Sequence, residues 1–327
     1  MRSGWVIDTA LDHAQKKTTL SCFAADGLAD GPVAQATLPY ALPLEFHGVF
    51  CRERMNMKHR TMLSLVLTLL LGACSSLPGA GIEAAGGHQV EFVVSGQGSP
   101  VVVFENGLGG TLDWWSKVWP DAVQETTSLA YNRAGYGKSE TSFETRDGAH
   151  IVEELRTLLK ARGLPPPYVL VGHSLGGLYM QLFARKYPQD VAALVLVDAT
   201  HPEQLKGAGD PAIWPTWLKL SFGLLTSETA KRELAALDPT GQAVLGLPVD
   251  PSVPVFVLSA LHPMEASSTM ADDANRKRAD IANLYPRARQ VWVDSGHGIP
   301  LEKPEAVVQA IREAVQSARA SSNQGKP

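Results

Sequence analysis

Residues 169–177 read VLVGHSLGG, and this stretch constrains the chain more than any other. An apolar run passes through a Gly-x-Ser-x-Gly pentapeptide, Gly172 to Gly176, into a segment with apolar residues at helical spacing. A buried strand must therefore turn sharply into a helix, with Ser174 at the turn. Gly172 and Gly176 supply the room that a tight turn and a close helix–strand approach require. The first turn of the helix leaves N–H groups without intrahelical partners, which favours negative charge beside the Ser174 side chain. In this strand–turn–helix setting the pattern reads as a nucleophile and not as an incidental glycine-rich turn.

Flanking segments fit the same architecture. Residues 89–94, 100–104, 128–131, 168–171, 191–197, 253–258 and 290–293 read as strands. The run VAALVLV at 191–197 is apolar throughout, as a strand covered on both faces should be. Residues 114–126, 149–161, 178–187 and 304–320 read as helices, with Ile151, Leu155, Leu158 and Leu159 at helical spacing. Alternation of this kind predicts a mostly parallel, doubly wound α/β sheet. Residues 201–252 break it. They contain Trp214, Trp217, Leu218, Leu220 and Phe222 and are read as a short helical lid over a site, the competing reading being a helix pair packed elsewhere.

The N-terminal quarter carries a different signal. Residues 57–76, MKHRTMLSLVLTLLLGACSS, place Lys58, His59 and Arg60 before a short Leu-rich core that ends in Leu-Gly-Ala-Cys74. This is the layout of a secretory signal peptide, and its end resembles a bacterial lipobox with Cys74 as the lipidated first residue. Residues 1–56, without clear periodicity, are then expected to be a disordered extension from an upstream, mis-assigned start. Residues 57–73 are the signal, 74–87 a Gly/Ala/Ser/Pro-rich flexible tether, 88–320 the catalytic domain and 321–327 a disordered tail. Processing before Cys74 turns an apparent two-domain length into that of one domain. Acyl chains on Cys74 would anchor the protein to a membrane of the bacterial cell envelope, the outer one where the host has two, without spanning it. A net charge of −4, from 29 Lys and Arg against 33 Asp and Glu, offers no basic footprint for nucleic acid. Three cysteines are too few for a disulfide framework.

With the nucleophile motif in this context, the chain resembles the α/β-hydrolase superfamily from about residue 89 to 317. The resemblance implies the α/β-hydrolase fold and a set of site residues. Phe104-Glu-Asn106-Gly107-Leu108-Gly-Gly follows a strand where the family carries its oxyanion loop, with Asn106 in place of the usual His. The backbone N–H groups of Leu108 and Leu175 would then form the oxyanion hole. Asp294-Ser-Gly-His297-Gly follows the last strand, where the family places its catalytic His. The acid is less direct. No Asp follows the strand at 253–258, and the candidates are Asp198, at the end of 191–197, and Glu265, with Asp272, Asp273 or Asp294 behind them. An Asp ending an apolar strand is costly to bury unpaired, and an imidazole partner would remove that cost. Asn132-Arg133-Ala-Gly-Tyr-Gly-Lys-Ser matches a further family landmark, with Arg133 in a structural role.

The expectation is a serine hydrolase cleaving carboxylic esters through Ser174, His297 and Asp198, without metal or cofactor. Asn106, Gly107, Trp114, His173, Trp214 and Trp217 are candidate substrate contacts. For Trp114 and its neighbour Trp115 core packing is an equal alternative, and for His173 a structural role. The apolar lid leans towards an ester or lipid-like small molecule as substrate, and a monomer is expected. An amidase or peptidase, a C–C hydrolase or an acyltransferase would use the same triad. A ligand-binding lipoprotein on a hydrolase scaffold is the rival from outside enzymology.

Overall fold

A computed structural model describes residues 5–12, 17–24, 34–38, 77–216, 219, 226–263 and 268–324. The signal segment, Cys74, Trp217 and Glu265 lie outside the described residues. The chain divides into two units, one of residues 1–53 with 264–268, the other of residues 54–263 and 269–327. In the first, β1 (Trp5–Asp12), β2 (Lys17–Ala24) and β3 (Ala34–Leu38) pair antiparallel in that order. Over these described residues, strands stand where disorder is expected. β-Branched and aromatic residues such as Val6, Ile7, Thr18 and Phe23 favour extended backbone even where no strict alternation is visible.

The second unit is built on an eight-stranded sheet of order β11-β10-β9-β8-β6-β7-β5-β4. Its strands are β4 (Gly81–Ala85), β5 (His88–Ser95), β6 (Val101–Glu105), β7 (Ser128–Tyr131), β8 (Tyr168–His173), β9 (Val191–Val197), β10 (Val255–Ala260) and β11 (Ala288–Val293). Pairing is parallel from β11 to β7 and antiparallel for β5 and β4. The antiparallel edge includes residues expected to be tether. Ala85 pairs with His88 across Gly86 and Gly87, whose φ values of 61° and 87° suit a two-residue hairpin turn. A Gly-Gly pair is as much a hairpin signal as a linker signal, and here it closes β4 onto β5. Strand β10 begins at Val255, after Pro254.

Helices cover both faces. They are α1 (Trp119–Glu125), α2 (Gly148–Ala161), α3 (Leu175–Lys186), α4 (Glu228–Ala235), α5 (Leu237–Leu245), α6 (Thr269–Asp280), α7 (Ile299–Glu302) and α8 (Pro304–Gln324). The last runs through residues expected to be a disordered tail. Alternate residues of the central strands enter opposite layers. Val103, Leu170 and Leu194 pack with α2 and α3, while Val102, Val171 and Val195 pack with α8. Val307, Ile311 and Val315, at helical spacing on α8, are fully buried, each worth about 1.5–3 kcal/mol. Part of the expected lid belongs to the core: Leu237 and Val244 of α5 join the α2–α3 layer, and Gly148 N–H donates to Thr240 Oγ1 at 2.9 Å.

Chain direction along the sheet reverses between β6 and β8: β7 lies outward from β6, and β9 outward from β8 on the other side. In open α/β sheets the crevice at such a switch point, beyond the carboxyl ends of the strands, is where ligands bind. The segments after β6 and β8 meet there.

Candidate active site

Ser174 sits between β8 and α3 at φ 53°, ψ −124°, a region costly for any residue with a side chain. Its surroundings hold it there. Its N–H donates to Val197 O at 3.1 Å, and its carbonyl accepts from Gly177 N and Thr200 N at 2.9 Å each. The glycines have no alternative. A Cβ on Gly172 would lie 2.6 Å from Gly177 Cα, one on Gly176 2.5 Å from Asn106 O, and one on Gly177 2.3 Å from Ala199 Cβ.

At the end of the neighbouring β9, Asp198 also has positive φ, 40°, and is 2% exposed. Oδ1 accepts from Ala260 N at 3.1 Å. Oδ2 accepts from His297 Nδ1 at 2.5 Å and from Arg278 Nε at 3.1 Å. Burial alone would push this carboxyl up; the hydrogen bond and charge of His297, then Arg278 and the Ala260 N–H, outweigh it and hold Asp198 below the usual carboxylate range. The bond to the Asp198 carboxylate needs a proton on His297 Nδ1, so in the neutral form of the ring Nε2 carries the lone pair. Among the acid candidates the structure brings Asp198 to His297. Asp294 instead meets His262 at the surface, and Asp273 pairs with Lys277 and Arg276.

His173, expected as a substrate contact or a structural residue, precedes the nucleophile and is buried. It is 1% exposed, and its Nε2–H donates to the His297 carbonyl at 2.9 Å. Burial first, and the nearby His297 charge second, push it down to about 3, so the ring is neutral at ordinary pH. Its ring centroid is 4.8 Å from that of His297, and Trp114 stacks on it at 5.1 Å. Elbow, imidazole loop and Trp114 thus form one contiguous wall. The two tryptophans separate: Trp114 is half-buried against this wall, whereas Trp115 is fully buried beside Phe104.

The loop after β6 closes the other side. A Cβ on Gly107 would fall 3.0 Å from Ser174 Cβ, a tight contact that the absence of a side chain avoids. Leu108 follows it directly, and Leu175 opens α3, where first-turn N–H groups lack helical partners. Asn106, expected as a substrate contact, lies beneath the loop instead: it is buried, and its Nδ2 donates to Tyr131 O at 3.0 Å. Trp214 is half-buried, with its indole N–H donated to Gly209 O at 2.9 Å.

Three residues that sequence reasoning did not single out stand behind the site. Arg278, on α6, has no motif around it. Glu105 ends β6 as Asp198 ends β9, and the same cost of burying an unpaired carboxylate would have flagged it. Glu233, on α4, is one polar residue among many in a helix of low hydropathy. Arg133 joins two of them, donating to Glu105 Oε1 at 2.7 Å and to Glu233 Oε1 and Oε2 at 2.9 and 2.8 Å.

A strained serine elbow, an imidazole on a buried carboxylate and a glycine loop at the switch point define an α/β-hydrolase class of protein. The alpha/beta hydrolase fold family matches residues 100–287, more than half of the chain, and the protein belongs to that family. The chain is 38% identical over 103 residues to the Bacillus subtilis protein YqjL, a match covering 32% of this chain and 41% of that protein. Among solved structures it is similar to a thermophilic esterase from Thermogutta terrifontis, at TM-score 0.53 and 21% identity over 73% of this chain and 98% of that one. An enol-lactonase from Burkholderia xenovorans aligns at TM-score 0.51 and 17% identity, over 72% and 100%. At these identities the structural likenesses speak for the fold.

Proposed function

We propose that the protein is a serine hydrolase of carboxylic esters, working through Ser174, His297 and Asp198. The observation that supports it most is the 2.5 Å contact between His297 Nδ1 and Asp198 Oδ2 beside a serine held at positive φ. In this reading Ser174 Oγ attacks the ester carbonyl while its proton passes to His297 Nε2. Charge developing on the carbonyl oxygen is met by the N–H groups of Leu108 and Leu175, each donor of this kind being worth about 3–4 kcal/mol. His297 returns the proton to the leaving alcohol, and the acyl group remains on Ser174. Water, deprotonated by His297, then releases the acid. Asp198 keeps the imidazole in one tautomer and stabilises its charged form. The Leu-rich segment ending at Cys74 adds the proposal of a lipid anchor in the bacterial envelope, with lipid-like esters within reach.

The test is labelling of the folded protein with a fluorophosphonate probe, followed by p-nitrophenyl esters of increasing acyl length beside aminoacyl anilides. A Ser174 adduct and ester turnover well above anilide turnover are expected. Absence of an adduct would defeat the hydrolase reading, and faster anilide cleavage would replace the ester by an amide.

A further inference from the structure

Arg133 is buried, and its five N–H donors all have acceptors. Nε and one Nη2 proton hold the two oxygens of Glu233 in a fork, at 2.9 and 2.8 Å. The remaining donors reach Glu105 Oε1 at 2.7 Å, Asn106 O at 2.6 Å and Gly107 O at 2.8 Å. The last contact bears on chemistry. Gly107 C=O and Leu108 N–H belong to one peptide unit, which is planar and trans, so the two groups point in opposite directions. A guanidinium that grips the Gly107 oxygen therefore sets where the Leu108 N–H points, and polarises it as a donor. The grip is itself braced from the 201–252 segment: Glu233 is 0% exposed on α4 and also accepts from Tyr136 Oη at 3.0 Å.

We infer that Arg133 and Glu233 are positioning residues for the oxyanion hole, a strap that ties helix α4 to the peptide carrying the Leu108 donor. The inference rests on the hydrolase reading and deepens it. Transition-state stabilisation then depends on α4 being docked, so that this helix acts on the rate of the chemical step.

The strap is tested with Arg133→Lys and Glu233→Gln. Lysine keeps the charge between Glu105 and Glu233 but cannot grip both carbonyls and the fork together. Fluorophosphonate titration counts competent sites in each preparation. Rates are expressed per site, and a trifluoromethyl ketone that forms a tetrahedral adduct on the serine reports on the hole itself. Expected for Arg133→Lys is a ten- to hundredfold fall in kcat per site, KM within threefold of wild type, and a Ki for the ketone weakened in parallel with kcat. Glu233→Gln should move the same two quantities by a smaller factor. If Arg133→Lys yields no titratable sites, Tyr136→Phe is read in the same way, with a two- to fivefold loss expected. Unchanged kcat per site, or a fall in kcat with the ketone Ki unmoved, overturns the strap. Wild-type protein that takes no fluorophosphonate defeats the hydrolase reading, whereas labelled wild type with unaltered variants defeats the strap alone.

Discussion

Arg278 Nε and His297 Nδ1 donate to the same oxygen, Oδ2 of Asp198, at 3.1 and 2.5 Å. The carboxylate is thus steadied from α6 on one side and from the imidazole loop on the other. Removing the guanidinium should leave the buried carboxylate short of a charge-assisted bond, worth about 1.5–3 kcal/mol. Arg278→Gln is expected to lower kcat about tenfold and urea stability by about 1–2 kcal/mol. Steady-state kinetics and urea midpoints check it, and a variant indistinguishable from wild type in both would make the contact incidental.

The choice of acid is open to direct comparison. Asp198→Asn keeps the shape of the side chain but presents an amide to Nδ1 and favours the wrong tautomer. In other serine hydrolases such a change costs about 10⁴ in kcat. Glu265→Gln should stay within about twofold of wild type by the same reasoning, since the tautomer is fixed elsewhere. The opposite ranking would move the acid to residue 265.

Strain at the elbow gives a prediction for stability. Ser174 holds φ 53° against the preference of any residue with a Cβ. Ser174→Gly should abolish turnover and yet stabilise the fold by about 1 kcal/mol. Chemical denaturation measures the sign, and a destabilised glycine variant would show that the elbow is not strained.

His173 predicts a pH dependence. Its folded-state value, pushed down to about 3, lies below the 6.5 of a free histidine. The unfolded chain therefore binds this proton first. The stability tied to a neutral His173 is complete above about pH 6.5, declines as pH falls, and is gone below the folded value. One proton contributes a slope of about 1.4 kcal/mol per pH unit at most. His173→Gln, which can still donate to the His297 carbonyl, should flatten the urea-stability curve between pH 6 and 4. An unchanged slope in that variant would assign the acid sensitivity to other groups.

The anchor can be tested without enzymology. Expressed in a bacterium with lipoprotein processing, the protein should partition into detergent and begin at an acylated Cys74. Cys74→Ala should be released from the membrane fraction. An unmodified N-terminus upstream of residue 74, read by mass spectrometry of the mature protein, would refute the processing.

The parts of the site that announce themselves in sequence are those whose chemistry is local. Ser174 needs glycines two residues away on either side, and His297 sits between glycines after a strand, so each is visible in five or six letters. Asp198 was legible for a different reason: a charge closing an apolar strand must have a partner. Arg278 and Glu233 are remote in sequence from what they touch, and their neighbours are ordinary helix residues; only the folded chain brings them to Asp198 and Arg133. Strands were readable wherever both faces are buried. The edge strand Gly81–Ala85 was not, because its small, mostly exposed residues carry no apolar pattern, and pairing with His88–Ser95 decides its state.

That edge strand would shorten the leash of the proposed anchor. Had residues 74–87 been slack chain, an acylated Cys74 would have let the enzyme roam tens of ångströms above a bilayer. Instead Leu77 is already buried against the domain, and Ala80 N–H turns back to its carbonyl. Three residue steps separate it from Cys74, a reach of about 10 Å at full extension. Under the proposed acylation of Cys74, a domain held that close would meet substrate by lateral diffusion in the membrane plane, and would sample esters embedded in its own leaflet far more often than those dissolved in the surrounding fluid.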